Sequence, residues 1–363
     1  MSQNDLFKDF TDDCDVLHGL PSFAYNSDDV FTTESEQVFS KSWVLAGLAH
    51  ELSNRGDVRP VTIAQKPVLL VRSEAGRIRA FHNVCRHRCL KLVDQPRNAG
   101  RVLSCPYHSW SYNLEGKLLA TPFFGGRDHQ PPPGFNKEEN GLVEIQCEVW
   151  HDWVFVNLGD KAGPFDEFIE PIATRLSHLD LNLLKPVAVL DFGVLNINWK
   201  FLMENFIEPY HVQFVHSKTT DQPLANHHTL IDKHCLGCTV EVTQPVKRSG
   251  TLAVDSNFLT LFPSFVLGTY EPDQLGVHLN TPVSAGETHQ RRAIYILRDS
   301  EIPEDEIEAL KTLWWNVHKE DHEMCERLQQ GRASHVADTG GLLSPKWETG
   351  VRRFQEFVLN AIQ

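Results

Sequence analysis

Two short segments that each pair a cysteine with a histidine constrain this chain more than any other feature. Cys85 and His87 stand in the first segment, and residues 88–104 separate it from the second, Cys105-Pro-Tyr-His108. Strand-like sequence leads into each segment, so both are expected to be loops on one β scaffold. Neighbouring loops of such a scaffold would bring the four side chains together. The sequence therefore predicts a small β-rich domain that holds a metal group between two loops.

The mixture of ligands within each loop indicates the kind of metal group. Structural zinc sites pair like ligands at C-x2-4-C and H-x3-5-H spacings, whereas each segment here carries one cysteine and one histidine. A Rieske [2Fe–2S] cluster has two cysteines on one iron and two histidines on the other. We therefore predict Cys85, His87, Cys105 and His108 as its ligands. A zinc knuckle, or four unrelated core residues, is the alternative.

A run of apolar residues predicts a buried helix with a polar stripe. In NINWKFLMENFIEPYHVQFVH the apolar side chains nearly encircle a helix over residues 198 to about 212. Glu204, Glu208 and His211 are spaced four and three apart, which places them on one face of that helix. His216 follows near the expected helix end, where the backbone can turn its imidazole inward. These polar groups inside an apolar helix need partners, and a metal ion is one candidate.

A carboxylate to complete such a metal site is predicted on a second helix. The pattern over residues 303–330 predicts a helix with an apolar stripe toward the core. The stripe consists of Ile307, Leu310, Trp314, Val317, Met324 and Leu328. Asp321 falls on it, while Glu320 is rotated by about 100° toward solvent. Two histidines and one carboxylate form the facial triad of non-haem Fe(II), so His211, His216 and Asp321 are the predicted ligands.

Both sets of motifs resemble those of Rieske oxygenase α subunits, within the ring-hydroxylating oxygenases. FHNVCRHRC and SCPYHSWSYNLEGKL are similar to the Rieske domain, and NWK…EN…E-x2-H-x4-H with a later helical Asp is similar to the catalytic domain. The resemblance covers nearly the whole chain. It implies an α+β fold, in which a small β-rich Rieske domain is inserted in a larger helix-grip-like α+β catalytic domain with a central antiparallel sheet. The expected boundaries are an N-terminal segment 1–45 that packs with the catalytic domain, the Rieske domain 46–160, and the catalytic mononuclear iron domain 161–363.

The same resemblance implies how electrons reach the iron. Glu208 would be the carboxylate that joins a cluster histidine of one subunit to an iron-ligand histidine of the next, in a ring of subunits that is commonly a trimer. The chain has no GxGxxG or Walker pattern, so a separate NAD(P)H-dependent flavin/[2Fe–2S] reductase is expected. The family usually has Gly at the position of Cys89. No cysteine in the second loop could pair with it, and we predict a small buried residue there; Cys235 and Cys238 form a CxxC that we predict to be structural.

The bridging glutamate also bears on the substrate. Family members with aromatic substrates mostly have Asp there, and Glu208 resembles the branch that acts on betaines, carnitine and choline. A trimethylammonium group favours an aromatic cage. The candidates are Phe201, Phe258, Phe262, Tyr270, Tyr295 and Trp314, although most of them are expected to be core aromatics. We therefore expect a terminal oxygenase that uses O2 to hydroxylate a small quaternary-ammonium substrate, with N-demethylation or C–N cleavage. One alternative is hydroxylation of an aromatic acid, its carboxylate paired by Arg291 or Arg292; the other is a Rieske electron carrier or sensor.

Charge and hydropathy exclude other classes of protein. The formal net charge of -14 would repel a phosphate backbone, so nucleic acid is not expected as a partner. No apolar run reaches the ~20 residues of a transmembrane helix, and the N-terminal residues lack the pattern of a signal peptide. We therefore expect no membrane partner and a cytoplasmic location.

Overall fold

The computed structural model describes residues 17–127, 131–159, 162–241 and 255–363. Residues 1–16 and 242–254 lie outside the described residues, so the expectations for the N-terminal segment 1–45 and for the catalytic domain are compared with the structure only elsewhere. The chain divides into two compact units: one is Phe39–Ala162, and the other combines the described parts of Met1–Val38 and Gly163–Gln363. The first unit is thus an insertion in the sequence of the second.

The described residues form seven α-helices and nineteen β-strands, apart from short 3₁₀ turns. The helices are α1 (Phe23–Asn26), α2 (Asp28–Gln37), α3 (Phe165–Arg175), α4 (Trp199–Ile207), α5 (Val212–Val215), α6 (Glu304–Gly331) and α7 (Thr349–Ile362). The strands are β1 (Leu17–His18), β2 (Val44–Leu48), β3 (Asp57–Ile63), β4 (Lys66–Arg72), β5 (Ile78–His82), β6 (Arg97–Asn98), β7 (Val102–Ser104), β8 (Ser111–Asn113), β9 (Leu118–Ala120), β10 (Glu144–Trp150), β11 (Trp153–Asn157), β12 (Leu184–Leu195), β13 (His227–Asp232), β14 (Cys235–Val240), β15 (Ser256–Leu261), β16 (Phe265–Tyr270), β17 (Gln274–Ser284), β18 (Glu287–Leu297) and β19 (Leu342–Leu343). The expected α+β class is confirmed.

The inserted unit consists of two antiparallel sheets. The larger has the strand order β2-β11-β10-β5-β4-β3-β6, and the smaller has the order β7-β8-β9. One cysteine follows the end of β5 and the other follows the end of β7, so each of the two cysteine–histidine segments is a loop that leaves a strand. Cys85, Cys105 and Trp110 are buried in the core of this unit. A β scaffold therefore fixes the base of both loops, as the sequence predicts.

The second unit is built on one seven-stranded antiparallel sheet with the order β12-β18-β17-β16-β15-β14-β13. Strands β13 to β18 follow one another as a meander, and β12 pairs with the outer edge of β18. Helix α6 packs on this sheet through Leu310, Trp314 and Val317, which share a core cluster with residues of β12, β16 and β18. The sheet and helix together form the walls of the cavity described below.

The predicted long helix over residues 198–212 is wrong in its second half. Helix α4 ends at Ile207, and Glu208 has an extended backbone with φ −102° and ψ 141°. The cause is Pro209, because a residue that precedes proline is driven out of the α region. The chain then turns into the short helix α5, with His211 and His216 as its flanking residues. Glu208 and His211 are therefore brought together by a turn, and Glu204 belongs to a different face.

Helix α6 agrees with its predicted limits, but the predicted apolar stripe is wrong in the C-terminal half. Leu328 is 49% exposed, whereas Cys325 is fully buried. With 3.6 residues per turn, the buried row continues from Val317 through His318 to Cys325. Among the described helices, none is both long and apolar enough to cross a membrane.

Candidate active site

Three side chains from separate segments converge in the second unit. The nitrogen atoms Nε2 of His211 and His216 lie 3.5 and 2.9 Å from Oδ1 of Asp321. The ligand atoms of all three residues lie within 4.8 Å of one another. Asp321 comes from α6, and the two histidines flank α5. The structure therefore brings together the three residues that the sequence nominates as a facial triad.

Each histidine is held at its other ring nitrogen by a glutamate. Nδ1 of His211 lies 2.7 Å from Oε1 of Glu208, and Nδ1 of His216 lies 2.9 Å from Oε2 of Glu320. A carboxylate only accepts, so in the neutral imidazole each Nδ1 carries the proton and each Nε2 presents a lone pair. Both lone pairs then face the Asp321 carboxylate.

This arrangement of lone pairs calls for a cation. Oδ1 of Asp321 is buried and has no hydrogen-bond donor in good alignment, although an imidazole nitrogen lies 2.9 Å away. Burial alone would lower the pKa of His216, but Asp321 and Glu320 outweigh it and raise that pKa to about 9. Protons or a metal ion must therefore neutralise the site. Two imidazole nitrogens and one carboxylate oxygen are the ligands of a non-haem iron facial triad, so the donor set fits this ion.

The position of Glu320 corrects a prediction. The sequence places Glu320 toward solvent, yet its side chain is only 25% exposed and is bound by His216 and by the Thr219 hydroxyl, which donates at 2.6 Å. The segment after α5 packs against that side of α6, and a glutamate side chain is long enough to reach it. No local pattern in the sequence predicts this contact. Glu204, by contrast, accepts from Tyr25 and lies outside the site.

A cavity opens beside the three converging residues. It encloses about 560 Å³ of empty space, including the part that reaches solvent, which is the size of a small-molecule pocket. Three of the six predicted cage residues line it: Phe258, Tyr270 and Trp314. The other three, Phe201, Phe262 and Tyr295, pack elsewhere in the unit, in agreement with the expectation that many of these aromatics are core residues. Phe206 on α4 lines the cavity and was missed by the sequence reasoning.

The two loops of the inserted unit share one backbone pattern. In each, the cysteine amide donates to the carbonyl five residues later at 2.8 Å, and the cysteine carbonyl accepts from the amide four residues later at 3.0 Å; the loops are Cys85–Leu90 and Cys105–Trp110. The rings of His87 and His108 meet edge to face with centroids 4.7 Å apart. Burial raises the pKa of the Cys105 thiol, and the neighbouring Cys85 thiol raises it as well. Matching loops therefore gather two thiols and two imidazoles, which is the donor set of a Rieske cluster.

The prediction that Cys89 is a small buried residue is wrong. Cys89 is exposed, and its backbone has a φ of 56°. The left-handed region favours glycine, so the turn geometry explains a glycine at this position better than side-chain packing does. Cys235 and Cys238 are buried free thiols on β14, and their odd spacing places them on opposite faces of the strand.

Comparisons with known proteins agree with both parts of this geometry. Residues 42–127 match the Rieske [2Fe-2S] domain, and residues 175–363 match the family described as "Ring hydroxylating alpha subunit (catalytic domain)". The second match covers more than half of the chain. The chain belongs to the ring-hydroxylating alpha subunit family. Its two cofactors are therefore a Rieske [2Fe–2S] cluster and a mononuclear non-haem iron.

Relatives within this family match different portions of the chain. The glycine betaine monooxygenase oxygenase subunit of Chromohalobacter salexigens is 34% identical over 199 residues, which is 55% of this chain and 43% of that protein. The match thus spans less than half of that relative. The carnitine monooxygenase oxygenase subunit of Acinetobacter pittii is 26% identical over 95% of this chain and 94% of its own length.

A solved structure extends the agreement to the whole fold. A quaternary ammonium Rieske monooxygenase, described for carnitine oxidation and inter-subunit electron transfer, superposes with a TM-score of 0.84 at 25% identity, and 96% of each chain is covered. The insertion of a Rieske unit in an α+β catalytic unit is therefore the fold of a known monooxygenase.

Proposed function

We propose that this chain is the terminal oxygenase component of a Rieske monooxygenase that hydroxylates a small quaternary-ammonium substrate with O2. The observation that carries the proposal is the convergence of two imidazole lone pairs on the buried carboxylate of Asp321. His211, His216 and Asp321 are the proposed iron ligands, and they line the cavity in which a substrate would lie. The bound iron would supply oxygen activation, with electrons passed singly from the cluster.

The glutamates prepare the histidines for this role. By accepting from Nδ1, Glu208 and Glu320 fix the tautomer that leaves Nε2 free to ligate. A carboxylate on the outer nitrogen also raises the basicity of the ligand nitrogen. Glu208 additionally accepts from the backbone amide of His211, so its carboxylate cannot rotate away.

The second part of the proposal is the electron path. Cys85, His87, Cys105 and His108 are the proposed cluster ligands, with the cysteines buried and His108 exposed. Glu208 is the proposed bridge from His211 to a cluster histidine of the next subunit in a homotrimer. A separate NAD(P)H-dependent reductase would supply the electrons, and the proposed compartment is the cytoplasm, where such a reductase has its nucleotide.

Two features support the quaternary-ammonium class of substrate. The named relatives are monooxygenase subunits for glycine betaine and for carnitine. The match to the carnitine monooxygenase subunit extends over nearly the whole chain. The cavity also presents the faces or edges of Phe206, Phe258, Tyr270 and Trp314, and aromatic rings attract a trimethylammonium group. Hydroxylation of a carbon next to nitrogen would give N-demethylation or C–N cleavage.

A second candidate function rests on one specific observation. Arg292 lies in the cavity wall, where its guanidinium could pair the carboxylate of an aromatic acid. An electron carrier or sensor would leave the cavity and the three converging ligands without a role. Aromatic-acid hydroxylation is therefore the alternative function. No observation favours an electron carrier or sensor.

The deciding experiment is turnover by the iron-loaded protein with NADH and a surrogate reductase. Oxygen uptake and product mass spectrometry are followed with glycine betaine, carnitine, choline and a set of aromatic carboxylates. We expect stoichiometric product, with formaldehyde or another aldehyde, from at least one quaternary amine. Product from an aromatic carboxylate alone would contradict the proposal and favour the alternative. Asp321→Ala serves as the control for reactions that do not need the mononuclear iron.

A further inference from the structure

One guanidinium in the cavity wall is buried without a carboxylate partner. Arg292 is 2% exposed and lines the same cavity as the three converging ligands. Its hydrogen bonds go to Tyr270, His278 and His318, and among the described residues it forms no ion pair. A buried charge normally has a paired opposite charge, because desolvation makes an unpaired one costly.

The hydrogen-bonding neighbours of Arg292 hold it in place but carry no negative charge, and the Asp321 carboxylate acts on it only through space. Nη1 lies 2.9 Å from Nε2 of His278 and 3.3 Å from Nε2 of His318. A guanidinium only donates, so both imidazole nitrogens accept and both rings are neutral. Nη2 donates to the Tyr270 hydroxyl at 3.4 Å. Nε is buried and has no acceptor among the residues that the structure describes.

The fold reserves space for this group. Arg292 lies with its guanidinium carbon 3.6 Å from the ring centroid of Trp314. The guanidinium is also close to Gly276, where an added Cβ atom would lie 2.4 Å from Nη2 and 2.8 Å from Cζ. Gly268 pairs with Gly276 across β16 and β17, and a Cβ there would lie 2.4 Å from the Tyr270 hydroxyl. The guanidinium thus packs against the Trp314 ring, and the missing side chain of Gly276 leaves room for it.

We infer that Arg292, with the Tyr270 hydroxyl beside it, binds a carboxylate of the substrate. The inference rests on the proposed function and narrows it: the preferred substrate is a zwitterion, such as a betaine, that carries both a quaternary ammonium group and a carboxylate. Choline, which has no carboxylate, should bind more weakly. A cation without a carboxylate would face the Arg292 charge in a space of about 560 Å³. A carboxylate removes that repulsion, and the aromatic rings that line the same cavity remain available to the ammonium end. An aromatic acid also carries a carboxylate, so the test includes both betaines and aromatic acids.

The test is equilibrium binding to the anaerobic holoenzyme by calorimetry, with ligands that differ only at the carboxylate. Glycine betaine is compared with choline, and γ-butyrobetaine with its ethyl ester; benzoate and benzyl alcohol form the aromatic pair. A charge-assisted bond of this kind predicts that each carboxylate ligand binds about ten- to hundredfold tighter than its partner without a carboxylate. Arg292→Gln should abolish the preference, and Arg292→Lys should restore part of it.

The controls separate this inference from the proposed function. Arg291→Gln alters the adjacent residue on the opposite face of β18 and should leave the preference unchanged. Gly276→Ala provides a second variant that displaces the guanidinium without removing it. Equal binding of glycine betaine and choline to the wild type overturns the inference and leaves quaternary-amine turnover standing. An Arg292-dependent preference for benzoate, with neither betaine bound, supports the carboxylate site and refutes the proposed substrate class.

Discussion

The hydrogen bond between Glu320 and His216 allows a quantitative prediction about iron affinity. Glu320→Gln keeps the size of the side chain but removes its charge, so the 2.9 Å bond to Nδ1 of His216 and the 2.6 Å bond from Thr219 both lose a charged acceptor. Loss of an outer partner of a metal-ligating histidine typically lowers metal affinity about 10- to 100-fold. The Glu320 side chain is 25% exposed, and solvent screening therefore favours the lower end. We expect about a tenfold weaker Fe(II) affinity, equal to about 1.4 kcal/mol.

The assay is an anaerobic titration of the protein, stripped of mononuclear iron, with Fe(II) in competition with a chromophoric chelator. The visible absorbance of the cluster reports in the same sample whether the Rieske unit is intact. Glu323→Gln is the matched control, because Glu323 is exposed on the same helix. An affinity for Glu320→Gln within twofold of wild type would refute the idea that Glu320 orients His216. Loss of the cluster absorbance together with the iron would refute it as well.

Three further variants test other parts of the structure. Glu34→Gln should lower the free energy of unfolding by about 3–5 kcal/mol in urea denaturation, because it leaves the buried Lys200 ammonium, now 2.6 Å from a carboxylate, without a counter-charge. Burial, together with the charge of Arg292, holds the pKa of His278 well below its ordinary value of 6.5. As the pH falls below about 6.5, the unfolded chain binds a proton that the folded chain refuses, so stability should fall, and His278→Gln should flatten this dependence between pH 7.5 and 5.5. Cys89→Gly should raise the thermal midpoint of the cluster absorbance, since a left-handed non-glycine residue costs about 1 kcal/mol.

Each of these variants has a control that distinguishes the stated cause. Glu34→Gln combined with Lys200→Met should recover part of the lost stability, because no buried charge is left unpaired. A pH dependence that is the same in wild type and His278→Gln would show that other groups titrate. Cys89→Ala keeps the left-handed strain and should not raise the midpoint; an equal rise in both variants would assign the effect to the thiol.

The sequence predicts the ligand sets better than it predicts the path of the chain between them. Ligand spacing in the two cysteine–histidine loops is local, and the strands that carry the loops follow from alternating apolar residues. The sequence does contain a signal for the helix end at Glu208, because Pro209 disfavours a helical conformation in the residue before it. The apolar periodicity of the segment outweighed that signal in our prediction. A proline after a polar residue in an apolar helix therefore deserves the greater weight.

Other features of the site have no local signal in the sequence. Glu320 and Arg292 are charged residues in ordinary surface-like patterns. Only the contacts of the segment after α5 with α6 show that Glu320 is partly covered, and only the packing around β18 shows that Arg292 is buried. The Gly276 that makes room for Arg292 is sixteen residues earlier in the chain and one strand away. Burial of a charge is a property of tertiary contacts, so periodicity on a single element cannot reveal it. The same limit explains why half of the nominated cage aromatics lie outside the cavity.

The central claim is that His211, His216 and Asp321 hold a mononuclear iron that is independent of the cluster. Iron content and the visible and electron paramagnetic resonance spectra of Asp321→Ala, compared with wild type and with Asp338→Ala as an exposed control, test it most directly. We predict that Asp321→Ala loses the mononuclear iron and product formation while its cluster spectrum is unchanged. Retention of all the iron by Asp321→Ala, with product formation intact, would contradict the account.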